Sequence, residues 1–306
     1  MCIPVHALSW MLAEKPLVRH LRPASSAPSS IMDALDLITN LRGVGWDWSR
    51  GLHVPRETRP TNRIIFALHA LFSGIFNFML CGFIHLAIST FVAGTPKLTI
   101  FDETLPQFVR YLRSSIITVM AGFVGYNGLL MSYHLFTAIG VLAFGQDPAQ
   151  WPPGLENPWY TTSLTEFWGR RWHQWFRHTF IVCAYPFSVV LGPPGRIIGA
   201  FLASGLAHHL MVITHDRHSE MWRMIVGFGM MAPGMIAERA FYKITGKKVG
   251  GVLGWVWTVS WLVIWYSVVV EGFVKGKMYT VHSAADPVSV RIENFVKNFD
   301  AWLHTI

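Results

Sequence analysis

Residues Ile64–Val92 read IIFALHALFSGIFNFMLCGFIHLAISTFV, a run without a single aspartate, glutamate, lysine or arginine. About 20 apolar residues suffice to carry a helix across the hydrocarbon core of a bilayer, so this stretch sets the class of the chain. Ile116–Phe144, Met221–Phe241 and Val252–Val274 repeat the pattern with few charges inside them. A shorter pair, Thr179–Leu191 and Ile197–Ile213, is split by GPPGR at Gly192–Arg196. Pro193 and Pro194 break a helix there, which predicts a tight hairpin that crosses the membrane and returns. The expected fold is an all-α polytopic membrane protein with about six transmembrane helices.

Composition agrees. Of the 306 residues 52% are hydrophobic and only 14% charged, against roughly 25% in an average soluble chain. The net charge of +8 could point to nucleic acid. The aromatic residues, however, lie inside or beside the apolar runs, and cytosolic basic loops together with an anionic substrate explain the charge more simply. Cys2, Cys81 and Cys183 have no paired spacing, which argues against a disulfide framework or a zinc site. Pro4, His6, Glu14 and Lys15 interrupt the first apolar patch, so insertion is expected to start at the first internal span.

Three regions follow: a polar N-terminal region over 1–62, a multi-span domain over 63–275 and a C-terminal tail over 276–306. Within the first, PASSAPSS at Pro23–Ser30 reads as a flexible linker. LRGVGWDW at Leu41–Trp48 reads either as an interfacial tryptophan anchor or as a compact structural element. Arg42, Arg50, Arg56, Arg59 and Arg63 precede the first span and place the N-terminus in the cytosol. Counting spans from there returns the 145–178 loop and His215–His218 to the cytosol. Lys243, Lys247 and Lys248 then face the lumen, against the positive-inside trend.

Two segments carry the chemistry. SLTEFWGRRWHQWFR at Ser163–Arg177 packs three tryptophans beside ionisable groups. On a helix Glu166, Arg170, His173 and Arg177 share one face, and Trp168, Trp172 and Trp175 share another about 200° away. An interfacial amphipathic helix is predicted, with tryptophans toward lipid or protein and charges toward a polar chamber. RIIGAFLASGLAHHLMVIT at Arg196–Thr214 puts Ser204, Gly205, His208 and His209 at membrane depth. Ionisable groups there are functional candidates. Ser204 and His208 share a face, and Gly205 allows close approach of a neighbour. A desolvated imidazole stays neutral and can accept a proton, so His208 is a candidate general base, although an intramembrane histidine bonded to a neighbouring helix would look the same. His209 points about 100° away, toward a backbone or helix contact. His69, His85 and His134 sit in apolar runs without a motif and read as packed or pore-lining. The histidines form no HxxHH set for a di-iron centre, and neither HExxH nor GxSxG occurs.

EFWGRRWHQWFR at Glu166–Arg177, followed by FLASGLAHH at Phe201–His209, resembles the wax synthase-like branch of the membrane-bound O-acyltransferases. RGVGWDW at Arg42–Trp48 is similar to an element of its fungal members. The resemblance covers roughly residues 40–275. It implies acyl transfer from acyl-CoA to a hydroxyl, with His208 as the intramembrane catalytic histidine and His173 as the second polar residue. It further implies acetylation of a terpenoid or meroterpenoid alcohol in a fungal secondary pathway, in the endoplasmic reticulum membrane. Acyl-CoA, most simply acetyl-CoA, is then a cosubstrate, with no bound cofactor, no metal and no nucleic acid. Arg170, Arg171, Trp172 and Ser204 are the expected substrate contacts, with Arg177 also placed to meet CoA phosphates. Many relatives have Asp where this chain has Glu166, and relatives usually carry additional N-terminal spans. The competing readings are a long-chain wax ester or sterol ester synthase and, outside enzymes, a transporter. No paired interrupted helices in similar halves suggest the last.

Overall fold

The computed structural model describes residues 10–11, 15–20, 29–49, 51–172, 174–280 and 287–306, and among these it is helical without a named strand. Most of the PASSAPSS segment lies outside the described residues. Ten helices matter here. They are α1 (Ser30–Thr39), α2 (Arg63–Ala93), α3 (Gln107–Leu142), α4 (Leu164–Glu166, continued by a π-helical turn at Phe167–Arg171) and α5 (Arg177–Cys183). Next come α6 (Tyr185–Val212), α7 (Met221–Gly229), α8 (Met231–Thr245), α9 (Gly251–Lys275) and α10 (Pro287–Leu303).

Four of these, α2, α3, α6 and α9, are long and apolar enough to cross a membrane. Helix α2 starts where Asn62 accepts the N–H groups of Ile64 and Ile65 at 3.0 and 3.2 Å, satisfying two of the orphan donors of its first turn. Helices α2 and α3 form the most extensive packing in the molecule. Gly74 gives the close approach at mid-length, where an added Cβ would meet His134 Cβ at 3.5 Å. The Met221–Phe241 run is not one helix. It breaks between α7 and α8 at Met230, yet both pieces continue in one direction from the Asp216 loop to Thr245.

Contacts sort the loops into two ends. At one, here called proximal, Arg63 donates to the Val141 carbonyl at 2.6 Å and Trp255 Nε1 donates to the Trp159 carbonyl at 2.9 Å. At the other, distal, Lys275 Nζ donates to the Lys97 carbonyl at 2.8 Å and Lys277 pairs with Asp216 at 3.1 Å. Glu271, buried, accepts from Thr99 Oγ1 and Ile100 N, both at 2.9 Å. Helix α10 packs against α2 at the distal end through the buried Val296, its buried Leu303 clusters with Leu105 and Val109, and Asp300 pairs at 2.6 Å with the fully buried Arg113.

The hairpin forms where GPPGR predicts it, but it does not cross the membrane twice. Gly192 has φ 64° and ψ −147°, a backbone geometry glycine adopts readily, and the chain reverses there. An added Cβ on Gly195 would lie 2.0 Å from the Phe187 carbonyl oxygen, and one on Gly199 2.9 Å from Ala184 Cα. In a continuous helix Ala184 and Gly199 would stand about 22 Å apart. The second arm, from Pro193 to Val212, is about 30 Å long and ends at the distal side, where Val212 meets Gly276. The turn is therefore proximal. The first arm reaches only as deep as Ala184, about 10 Å along its partner, before turning back. Residues 177–191 thus make a re-entrant V, with His178 still against Trp48 at 4.8 Å.

Two expectations change. The His215–His218 loop lies at the distal end, opposite the 145–178 loop. The Lys243–Lys248 loop lies at the proximal end beside the arginines, which removes the conflict with the positive-inside trend.

LRGVGWDW is a clamp rather than a lipid anchor. Trp46 is 4% exposed, and its Nε1 donates to Asp36 Oδ2 at 2.7 Å. Gly43, at φ 67°, lies under the Trp48 ring, where a Cβ would come within 2.5 Å of ring carbons. The buried Arg42 guanidinium donates to the Pro152 and Pro153 carbonyls at 2.5 and 2.7 Å, tying the N-terminal region to the proximal loop.

Candidate active site

Helix α4 begins because its first donors are all taken. Ser163 Oγ accepts from Glu166 N at 3.1 Å. Glu238, reaching from α8, accepts from Leu164 N at 2.6 Å, Thr165 N at 2.9 Å and Thr165 Oγ1 at 2.7 Å, and also from Trp257 Nε1 at 3.1 Å. A buried carboxylate with four donors is satisfied without a cation. One turn later the helix widens. Trp172 N donates to the Phe167 carbonyl at 2.8 Å, a five-residue step, and Trp172 then turns extended.

The continuous amphipathic helix expected over Ser163–Arg177 therefore stops at Arg171, and the face expected to join Glu166 and Arg170 to Arg177 does not persist. His173 itself lies outside the described residues. The wider turn brings Arg171 Nε to Glu166 Oε1 at 2.6 Å. Burial pushes the Glu166 carboxyl up, but the Thr162 N–H and the Arg171 guanidinium outweigh it and hold it below the usual carboxylate range. Arg171 also donates to the Glu156 and Asn157 carbonyls at 3.2 and 3.3 Å, so much of its donor capacity is spent within the protein. Arg170 and Arg177 are exposed.

The tryptophans do not form a lipid face. Trp168 packs on Phe201 at 5.2 Å between centroids, and Trp175 fills the space above Gly154 and stacks near Tyr133. Trp168 and Trp172 wall an apolar chamber of about 210 Å³. Its sides come from α3 (Thr118, Phe123, Tyr126), α9 (Leu262, Tyr266) and α7 (Phe228), and it runs from Pro158 and Trp159 at the proximal end toward mid-membrane.

His208 stands behind that inner wall. Its ring stacks on Phe228 with centroids 4.1 Å apart and an angle of 26°. Its Nδ1 lies 2.8 Å from the Ser204 carbonyl oxygen. A carbonyl only accepts, so Nδ1 carries a proton, and in the neutral imidazole Nε2 presents its lone pair. Ser204 therefore serves His208 through its backbone. Gly205 explains how α7 comes so near, since an added Cβ would lie 2.7 Å from the Met224 carbonyl oxygen. His209 Nδ1 is buried without a hydrogen bond. His85 donates to the Met278 carbonyl at 2.9 Å in the distal half, His69 is exposed, and His134 packs beside Gly74.

Phe228, Tyr266 and Glu238 were not singled out in the sequence. The signal for Glu238 was present, as a lone carboxylate within an apolar run; Phe228 and Tyr266 gave none, since tertiary packing alone brings them to the chamber.

Fold and site together define a polytopic α-helical membrane protein with a histidine, held at Nδ1 by a backbone carbonyl, beside an apolar chamber. Residues 151–230, which hold α4, the hairpin, His208 and Phe228, match the membrane bound O-acyl transferase family. An acetyltransferase, ple2, of Rhodocybe pseudopiperita is 26% identical over 264 residues, covering 79% of this chain and 67% of the relative. An O-mevalon transferase, yanI, of Aspergillus niger is 28% identical over 51% of this chain and 36% of its own length. A long-chain-alcohol O-fatty-acyltransferase of Simmondsia chinensis is 28% identical over 51% of this chain and 45% of its own length. These similarities agree with the resemblance of its motifs to the wax synthase-like branch of the membrane-bound O-acyltransferases. The chain spans between 36% and 67% of the length of these three relatives. No solved structure matches it.

Proposed function

We propose that the protein transfers an acyl group from acyl-CoA to the hydroxyl of a lipophilic alcohol, with His208 as general base. The observation that carries this reading is the Nδ1–H bond from His208 to the Ser204 carbonyl at 2.8 Å, which leaves Nε2 free to accept a proton at membrane depth. Nε2 takes the hydroxyl proton as the alcohol oxygen attacks the thioester carbonyl carbon. The tetrahedral intermediate collapses, the carbon–sulfur bond breaks, and the CoA thiolate takes the proton from the imidazolium, restoring the neutral base. No covalent acyl-enzyme is required. His173 stabilises the developing oxyanion or positions the acceptor.

The chamber supports the substrate class. Its aromatic and aliphatic walls suit a terpenoid or meroterpenoid alcohol and exclude water that would hydrolyse the thioester. The Rhodocybe acetyltransferase relative favours acetyl-CoA as donor; the Simmondsia relative keeps a long-chain wax ester synthase as the second reading. The membrane is taken to be that of the endoplasmic reticulum, with the proximal end cytosolic. Microsomes carrying the protein, given labelled acetyl-CoA or palmitoyl-CoA with terpenoid and fatty alcohols, should yield an acetylated terpenoid. Palmitoyl ester alone would select the second reading, and no ester from any donor would refute both.

A further inference from the structure

We infer that the exposed lysine loop closing the proximal end, Lys243, Lys247 and Lys248, is the docking site for the phosphates of the acyl donor. The inference rests on the acyl-CoA reading above. It starts from the placement of that loop, which the order of spans in the sequence had set on the opposite side.

Two contacts hold the loop at the chamber mouth. An added Cβ on Gly254 would lie 2.4 Å from the Thr162 carbonyl oxygen, and Trp255 Nε1 donates to the Trp159 carbonyl at 2.9 Å. Trp159 is itself part of the chamber wall, next to Pro158. A Cβ on Gly250, two residues after Lys248, would come 3.9 Å from Thr162 Oγ1. The lysines thus stand on the rim through which a long donor would thread its acyl end toward His208.

The rim carries surplus positive charge. Three of its carboxylates are already engaged: Glu57 by Arg59, Glu156 by His53 at 2.5 Å, and Glu166 by Arg171 at 2.6 Å. Glu238 is satisfied by four donors of α4 and α9. Lys243, Lys247 and Lys248 are all exposed, as are Arg170 and Arg177 of the 145–178 loop. Lys243 lies in the last turn of α8, where the helix dipole alone would favour a cation. Lys247 and Lys248 lie beyond the Gly246 cap, where the dipole gives no such account. An uncompensated cationic rim over an apolar shaft fits a ligand that is polyanionic at one end and apolar at the other. Acyl-CoA has that form, with its phosphates outside and its thioester within. An anionic lipid headgroup shares the phosphate chemistry, and the test separates the two.

The test uses the full chain in nanodiscs of phosphatidylcholine only, and compares wild type with Lys243→Gln/Lys247→Gln/Lys248→Gln. Free CoA should bind the variant about tenfold more weakly, and raised salt should narrow the gap. Pantetheine, which lacks the phosphates, should not distinguish the two proteins. In turnover the KM for acetyl-CoA should rise about tenfold with kcat held, and KM for acetyl-pantetheine should not follow it. Equal CoA binding by both proteins, or no CoA binding by wild type, overturns the inference. An effect seen only when phosphatidylserine is added, and equal for both donors, assigns the loop to lipid and overturns it too. Should wild type transfer no acyl group yet bind CoA through these lysines, the transferase reading fails while the docking site stands.

Discussion

Removing the Glu238 carboxylate should loosen α4 and the chamber wall it carries. Glu238 holds the N–H groups of Leu164 and Thr165 at 2.6 and 2.9 Å, the Thr165 hydroxyl at 2.7 Å and Trp257 Nε1 at 3.1 Å. Leu164 is fully buried, so water does not replace the lost acceptor there. A buried donor left unpaired costs about 1–3 kcal/mol, and two backbone N–H groups are fixed by the helix start. The hydroxyl and the indole can find other partners. Glu238→Ala should therefore destabilise by roughly 2–5 kcal/mol, and Glu238→Gln, which keeps one carbonyl oxygen, by about half that. At roughly 2 °C per kcal/mol for a chain of this size, the apparent Tm in detergent should fall by about 4–10 °C for alanine. Tryptophan emission should shift to the red, because Trp168 and Trp172 ride on the segment that Glu238 anchors. Unchanged Tm and emission in Glu238→Ala would refute the capping role and the reason given for where α4 begins.

Glu166 gives a pH dependence with a definite sign. Its folded-state value lies below the ordinary 4.5, so the stability it contributes is present above that value and is lost as pH falls through the lowered one. Melting measured against pH should show a shallower acid limb in Glu166→Gln than in wild type, the two differing most near neutral pH and converging as the wild-type carboxylate is protonated. Asp300→Ala should strand the Arg113 charge, which is wholly buried, and lower stability by about 3–5 kcal/mol. Arg113→Met with Asp300→Asn should recover part of that loss in denaturant unfolding. Cysteines introduced as His215→Cys and Lys247→Cys, in a variant with its native cysteines replaced, should react with a membrane-impermeant thiol reagent from opposite sides of sealed vesicles. Labelling from one side would overturn the re-entrant hairpin.

Residues whose environment is set by their neighbours in the chain were legible in the sequence. Helices α2 and α9 follow from apolar runs, and Gly192–Arg196 announces a reversal because two prolines follow a glycine. The depth of the reversal was not legible. It depends on Ala184 meeting Gly199 and Phe187 meeting Gly195, contacts between separated residues that no periodicity encodes. The same holds for the π-helical turn. A 3.6-residue period extends past Arg171 on paper, whereas the Arg171–Glu166 pair and the five-residue step to Trp172 end the helix there. At the site, the shared face of Ser204 and His208 was readable from their spacing. The stacking of Phe228 on His208 was not, because α7 comes to α6 through Gly205 and the break at Met230.

The most direct measurement is single-turnover acyl transfer by His208→Gln in lipid nanodiscs. Glutamine can donate to the Ser204 carbonyl as the imidazole does, yet it takes no proton from an alcohol. The expected result is a loss of about 10²–10⁴ in rate, with donor binding and Tm close to wild type. Wild-type turnover in His208→Gln would contradict the assignment of the base.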